Sequence, residues 1–171
     1  MDQVAERAGV SKRTVYNHFE NKEALFRAVS VGLIEETKFL PVKYCANTPL
    51  AEQLTELITL EVESLSAESH ISAFRALMVE SFELPGIVEQ IANEIPDGQD
   101  TIENWVNDAA HDGRISSDNS DMAIEHLYAL IKGVFFWPVL VGYADPPAGD
   151  ARTRYIESTV EMFLTHYGVK P

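Results

Sequence analysis

Cysteine is almost missing from this chain: Cys45 stands alone, which excludes an internal disulfide framework and a multi-cysteine metal site and leaves an ordinary thiol. No apolar run follows Met1-Asp2-Gln3-Val4-Ala5-Glu6-Arg7, so a secretory signal is not expected and a cytoplasmic protein is. His-Glu-x-x-His, Gly-x-Ser-x-Gly, glycine-rich phosphate loops and Cys/His ligand spacings are all absent. No catalytic residue, metal ligand or cofactor is therefore nominated, and scattered carboxylates such as Glu61, Glu63 and Glu68 read as solvated faces. Strand-type alternation, internal repeats and low-complexity tracts are also absent, which points to an all-α architecture. Leu127 to Ala144 carries one charge, Lys132, in 18 residues. Gly133 and Pro138 interrupt that run and acids flank it, so a helix buried on several sides is expected and a membrane span is not.

Positive charge is the other scarcity. Thirteen Lys and Arg face 27 Asp and Glu, for a net −14, a balance that opposes a polyanionic partner unless the cations cluster. They do cluster. Residues 1–27 hold Arg7, Lys12, Arg13, Lys22 and Arg27 against Asp2, Glu6, Glu20 and Glu23, a net +1, which leaves −15 for the rest. An acidic body would be kept off DNA while such a head is turned towards it.

What is present begins at Val4-Ala5-Glu6-Arg7-Ala8-Gly9-Val10-Ser11, which reads as a helix, a turn at Gly9 and an N-cap at Ser11. Val4, Ala5, Ala8, Val10, Val15 and Phe19 supply a shared apolar inner face. The outer face of the second helix carries Lys12, Arg13, Thr14, Tyr16, Asn17 and His18, which are rich in donors for phosphate and base edges and include no acid. A helix of roughly 12 Å fits a DNA major groove. The alternative is an amphipathic helix with a solvated polar face.

Further along, Asn21 is placed to cap a third helix through Leu25, Phe26, Val29, Leu33 and Ile34. Pro41 breaks the pattern, and Thr48-Pro49 starts a helix with proline at the first helical position and Leu50, Leu54, Leu57, Ile58, Val62 and Leu65 on one face. A helix from about Ser69 to Glu83 has Ile71, Phe74, Leu77, Met78 and Phe82 inward and stops before Pro85-Gly86. Ile87 to Ile95 ends at Pro96, and Thr101 to His111 ends at Asp112-Gly113-Arg114-Ile115. A long helix starts near Asp121, and Asp150 caps a last one with Tyr155, Ile156, Val160, Phe163, Leu164 and Tyr167 as its stripe. The expected domains are a head over 1–40 and an all-helical body over 41–171.

The run Ala8 to Phe19 followed by Asn21-Lys22-Glu23-Ala24-Leu25-Phe26 resembles the DNA-binding signature of TetR-type transcriptional regulators. Ser81-Phe82-Glu83-Leu84-Pro85, Asp112-Gly113-Arg114-Ile115 and Lys132-Gly133-Val134-Phe135-Phe136-Trp137-Pro138 resemble the C-terminal domain of an AefR-like subgroup. The resemblance implies that Lys12, Arg13, Thr14 and Asn17 face base edges or nearby phosphates, while Tyr16, His18 and Lys22 hold the backbone of double-stranded DNA. It also implies a homodimer through the last two helices. Their broad apolar faces are hard to cover without a partner, and two recognition helices one DNA turn apart read a palindrome. A small-molecule effector is the family's second ligand. Phe74, Met78, Phe82, Trp105, Tyr128, Phe135 and Trp137 could line its pocket or simply form core, with His70, His111 and His126 as polar contacts or structural histidines.

In that family a further helix precedes the helix-turn-helix and covers its core, whereas Met1 falls at the start of the second. The native chain is therefore expected to extend upstream. Without that cover Val4, Ala8, Val15 and Phe19 are partly bare, at roughly 1.5–3 kcal/mol for each large side chain exposed. The expected function is an effector-responsive regulator, most simply a repressor. Its competitor is a dimeric ligand-binding or interaction module whose head is incomplete and inactive.

Overall fold

The computed structural model describes residues 1–38, 42–84, 86–94 and 100–169, the side chains of 35–38 and 117 excepted. Pro41, Pro85, Ile95 and Pro96, which the sequence reading uses as helix ends, lie outside the described residues. Among the described residues the protein is all-α, its only strand-like pairing an isolated antiparallel bridge between Ile115 and Gly168. Two compact units form: Met1–Glu36 with Ala76–Pro96, and Thr37–Arg75 with Asp97–Pro171. The first unit is thus not continuous in sequence, since residues 76–96 join 1–36.

The first unit starts with α1 (Asp2–Arg7) and α2 (Lys12–His18). Gly9 takes φ +66°, where a side chain would be strained. The amide of Val10 donates to the Ala5 carbonyl at 3.0 Å and that of Gly9 to Glu6 at 3.2 Å, a Schellman ending that satisfies two orphan carbonyls. Ser11 Oγ accepts from the Thr14 amide at 3.1 Å and lies 2.8 Å from the Thr14 hydroxyl, so α2 is capped as expected. Ser11→Ala is expected to cost about 1 kcal/mol, read as faster amide exchange across 12–18 with little change in the second unit.

Asn21 Oδ1 accepts from the Ala24 amide at 2.8 Å and opens α3 (Lys22–Lys38). Two ion pairs tie α3 to the returning segment: Lys22 to Glu80 of α5 (Glu68–Glu83) at 2.6 Å, and Arg27 to Glu94 of α6 (Ile87–Glu94) at 2.8 Å.

The apolar inner face is narrower than expected. Ala5 and Val15 are buried, but Val4 and Val10 are about two-fifths exposed and Ala8 is exposed, because helices of six and seven residues have little surface to share. On α5 the inward stripe runs through Leu77, Glu80, Ser81 and Leu84, all half-buried. That stripe leaves Met78, Val79 and Phe82 outward, and Phe82 is 79% exposed. Glu80, on that inward stripe, pairs with Lys22.

The second unit holds α4 (Leu50–Leu65), the first half of α5, α7 (Thr101–His111), a 3₁₀ turn (Ser117–Asn119), α8 (Ser120–Phe135), α9 (Trp137–Leu140) and α10 (Gly149–Tyr167). α4 packs on α10, and α8 packs against α4, α7, α9 and α10. Leu54, Leu57, Ile58, Val62, Ile102, Trp105, Val106, Leu127, Ile131, Phe135, Val160 and Phe163 form its core.

Three local expectations change. Pro49 sits at the N-cap of α4, one position early, and its side chain caps nothing. α8 runs through Gly133 and breaks at Phe136, where Pro138, lacking a donor, fits the start of α9. Ala148, not Asp150, is the N-cap of α10, and Asp150 lies in its first turn.

Candidate nucleic-acid interface and effector region

On α2 the side chains of Lys12, Arg13, Tyr16, Asn17 and His18 are exposed and Thr14 is half-buried, its hydroxyl engaged with Ser11. They form one face of a helix about 10 Å long, with Lys22 at the start of α3. This face offers guanidinium, ammonium, carboxamide, phenol and imidazole groups without an acid of its own. Two of its cations are met by carboxylates from elsewhere in the unit. Lys12 Nζ lies 2.7 Å from Asp2, a bond that raises the Lys12 ammonium and lowers the Asp2 carboxyl from their ordinary values. Lys22 is held by Glu80. Spacing alone shows neither pairing, since Glu80 is 58 residues from Lys22.

The seven residues nominated for an effector pocket do not form one set. Met78 and Phe82 belong to the first unit and face outward. Trp105 and Phe135 are fully buried core of the second. Trp105 Nε1 donates to Gln53 Oε1 at 3.3 Å, and Tyr44 meets its ring edge-on at 6.1 Å. Trp137 is half exposed. Phe74 and Tyr128 remain, both half-buried, and near Tyr128 lies a polar region that the residue pattern does not foreshadow.

That region contains Glu61, which is 9% exposed and no solvated face. Burial, and then the nearby Asp100 carboxylate, push its carboxyl up to about 7, while Lys132 opposes them. Burial likewise raises the Tyr128 phenol, whose hydroxyl donates to Asp100 Oδ2. Asp100 also caps α7, accepting from the Ile102 and Glu103 amides at 2.9 and 3.2 Å. His70 is buried too, its imidazole held below its usual value by burial and by Lys132. His111 is exposed, and His126 Nδ1 lies 2.5 Å from the Tyr167 hydroxyl.

A second polar arrangement organises the 44–48 loop. Gln53 Nε2 donates to the Cys45 and Thr48 carbonyls at 2.8 Å, and its Oε1 accepts from the Cys45 amide at 2.8 Å. Arg114 Nη1 donates to Ala46 and Thr48 carbonyls at 2.9 and 3.0 Å. The Asp112-Gly113-Arg114 turn thus clamps this loop as well as ending α7. Cys45 is exposed there, its thiol lowered chiefly by a hydrogen bond with the Thr48 side chain.

Between α8 and α10 lies an apolar groove of about 630 Å³, lined by Leu130, Met162, Phe163 and Tyr167 among others. None of the seven nominated residues lines it. Among the described residues no group of His, Cys, Asp or Glu is arranged to hold a metal ion, and no helix is long and apolar enough to cross a membrane.

The chain is similar to known proteins over nearly its whole length. A family profile described as the AefR-like transcriptional repressor C-terminal domain matches residues 52–169, and one described as bacterial regulatory proteins of the tetR family matches residues 1–29. No curated protein matches significantly. The crystal structure of a TetR family transcriptional regulator from Pseudomonas syringae pv. tomato is 30% identical, with a TM-score of 0.83 over 99% of this chain and 86% of that one. The flavonoid-responsive regulator FrrA is 25% identical, with a TM-score of 0.78 over 100% and 87%. A TetR-family regulator from Mesorhizobium loti, 21% identical with a TM-score of 0.76 over 98% and 86%, shares the fold.

Proposed function

The chain belongs to the TetR family of bacterial transcriptional regulators, with an AefR-like C-terminal domain, and on that premise we propose that it is a cytoplasmic homodimeric repressor that binds a palindromic operator and leaves it when a small molecule binds the body. The observation that carries the DNA reading is the acid-free exposed face of α2 in a protein whose remaining 144 residues carry −15. Asn17 suits adenine and Lys12 or Arg13 suits guanine, whereas Tyr16, His18 and Lys22 suit phosphates. The apolar groove of α8 and α10, lined in part by half-exposed Met162, supports pairing of those helices with a second copy. The flavonoid-responsive relative supports an effector.

The competing reading, a dimeric ligand-binding module with an inactive head, draws on the pairing of Lys12 with Asp2 and of Lys22 with Glu80. Exposed pairs of this kind hold at most about 1 kcal/mol, less than a phosphate contact offers in return, so they do not close the face.

Two variants test the reading by DNA titration. Asn17→Ala is expected to lose roughly 1–3 kcal/mol on operator DNA and nothing on random duplex. Glu80→Gln, which frees Lys22, is expected to tighten both kinds of DNA by about two- to five-fold and to steepen the salt dependence. Operator and random affinities that stay equal to each other in every variant would leave the competing reading.

A further inference from the structure

Two cations of the first unit are bound by carboxylates, and the two pairs differ in setting. Glu80, the partner of Lys22, lies on the inward stripe of α5 with its side chain 24% exposed. Asp2, the partner of Lys12, has a side chain 73% exposed, beside a Lys12 side chain that is 58% exposed. Only one Asp2 oxygen is engaged. Oδ1 lies 2.7 Å from Lys12 Nζ, and Oδ2 has no hydrogen-bond partner among the described residues. The ammonium likewise keeps donors to spare, since one of its three N–H groups serves Asp2.

Position decides what such a couple meets. Lys12 is the first residue of α2, which Ser11 caps and the Gly9 turn sets against α1. The N-terminal residues of a recognition helix are the ones that touch base edges, and the bond to Lys12 brings the Asp2 carboxylate to that same end.

A phosphate is a poor partner for this couple. Its net charge is zero, so it releases few counterions, and the open carboxylate oxygen repels any phosphate that approaches the ammonium. A base pair suits it better. In the major groove a G·C pair shows the N7 and O6 acceptors of guanine beside the N4 donor of cytosine. Lysine donates to those guanine acceptors and aspartate accepts from cytosine N4, so one neutral couple answers both halves of the pair.

We propose that Asp2 is a specificity-determining residue, which accepts from cytosine N4 while Lys12, bonded to it, donates to the guanine of the same base pair. The proposal rests on the DNA reading above and names the base pair that one end of α2 selects.

Selection by the full chain from a pool of duplexes randomised over about two helical turns, followed by titration of the enriched duplex, tests it. One position in each half-site is expected to prefer G·C over A·T by about ten-fold, the worth of a good pair of base contacts. In Asp2→Ala and in Lys12→Ala that preference falls to within about two-fold, while preferences elsewhere in the site are kept. Affinity of Asp2→Ala for random duplex does not fall, which separates lost reading from lost folding. A second duplex carries N4-methylcytosine at the same position, where the methyl group blocks the major-groove N–H. It is expected to weaken the wild type by about ten-fold and Asp2→Ala by less than about two-fold.

A G·C preference that survives in Asp2→Ala overturns the proposal. So does an N4-methylcytosine duplex that the wild type binds undiminished, because Asp2 then only holds Lys12 in place. Enrichment that depends on Asn17 and is indifferent to Asp2 overturns this assignment and keeps the DNA reading. Selection that enriches no sequence for the wild type overturns both.

Discussion

Replacing Trp105 with alanine is expected to remove roughly 3–5 kcal/mol of stability, a large part of the 5–15 kcal/mol typical of a folded domain. Trp105 is 1% exposed and sits among Leu54, Leu57, Val106 and Ala109, so truncation leaves a cavity that rigid neighbouring helices cannot close. It also removes a donor from Gln53, whose side chain holds the Cys45 and Thr48 backbone. The loss should therefore appear in the 44–48 loop as well as in global unfolding. Urea denaturation followed by far-ultraviolet circular dichroism measures the first effect, and amide exchange at Cys45 the second. A fall below about 1 kcal/mol would mean that Trp105 lines an open cavity and is not core. The comparison matters for function, because a core tryptophan and a pocket tryptophan are indistinguishable in a spacing pattern.

Glu61→Gln is expected to stabilise the protein, and to do so as a function of pH. Folding raises this carboxyl from its ordinary 4.5 to about 7, first through burial, then through Asp100, with Lys132 pulling the other way. The folded protein keeps a proton that the unfolded chain releases between those two values. The stability this proton represents is fully present below pH 4.5 and is lost as the pH rises through 7. At pH 8 the buried charge then costs on the order of 2–3 kcal/mol. Glutamine keeps the shape without the charge. Its gain over the wild type should be about 2 kcal/mol larger at pH 8 than at pH 5, measured as urea midpoints with slopes compared. An equal gain at both values would show that Glu61 reaches water and carries no such shift.

Much of the fold is legible in the sequence because its signals are local. Gly9, Ser11 and Asn21 end or start helices by bonds within five residues. The stripes of α4, α7 and α10 follow a period that needs no partner to be read. What is less legible depends on contacts distant in sequence. Met78 and Phe82 face outward although their spacing suits a buried stripe, and the Lys22–Glu80 pair on the inward side joins residues 58 apart in sequence. Gly133 looks like a helix breaker, yet the packing of α8 against four other helices outweighs its intrinsic cost of about 1 kcal/mol.

Glu61 is the most instructive case. It follows Leu57 and Ile58 by one turn and therefore lies on the buried face of α4. Its position could have exposed it to suspicion, but residue type favours a solvated carboxylate. The exposed polar face of α2 is legible because Lys12, Arg13, Tyr16, Asn17 and His18 lie within a single seven-residue helix. The cross-links that occupy Lys12 and Lys22 are not.

The proposed function rests on α2 reading DNA sequence. A fluorescence anisotropy titration against duplex DNA from immediately upstream of its coding region, and against random duplex of equal length, at about 50 and about 200 mM salt, tests it most directly. Upstream DNA is expected to bind at least about 10³-fold more tightly than random DNA, with both affinities falling with salt and the difference shrinking in Asn17→Ala. Equal affinity for the two duplexes at both salt concentrations would contradict it.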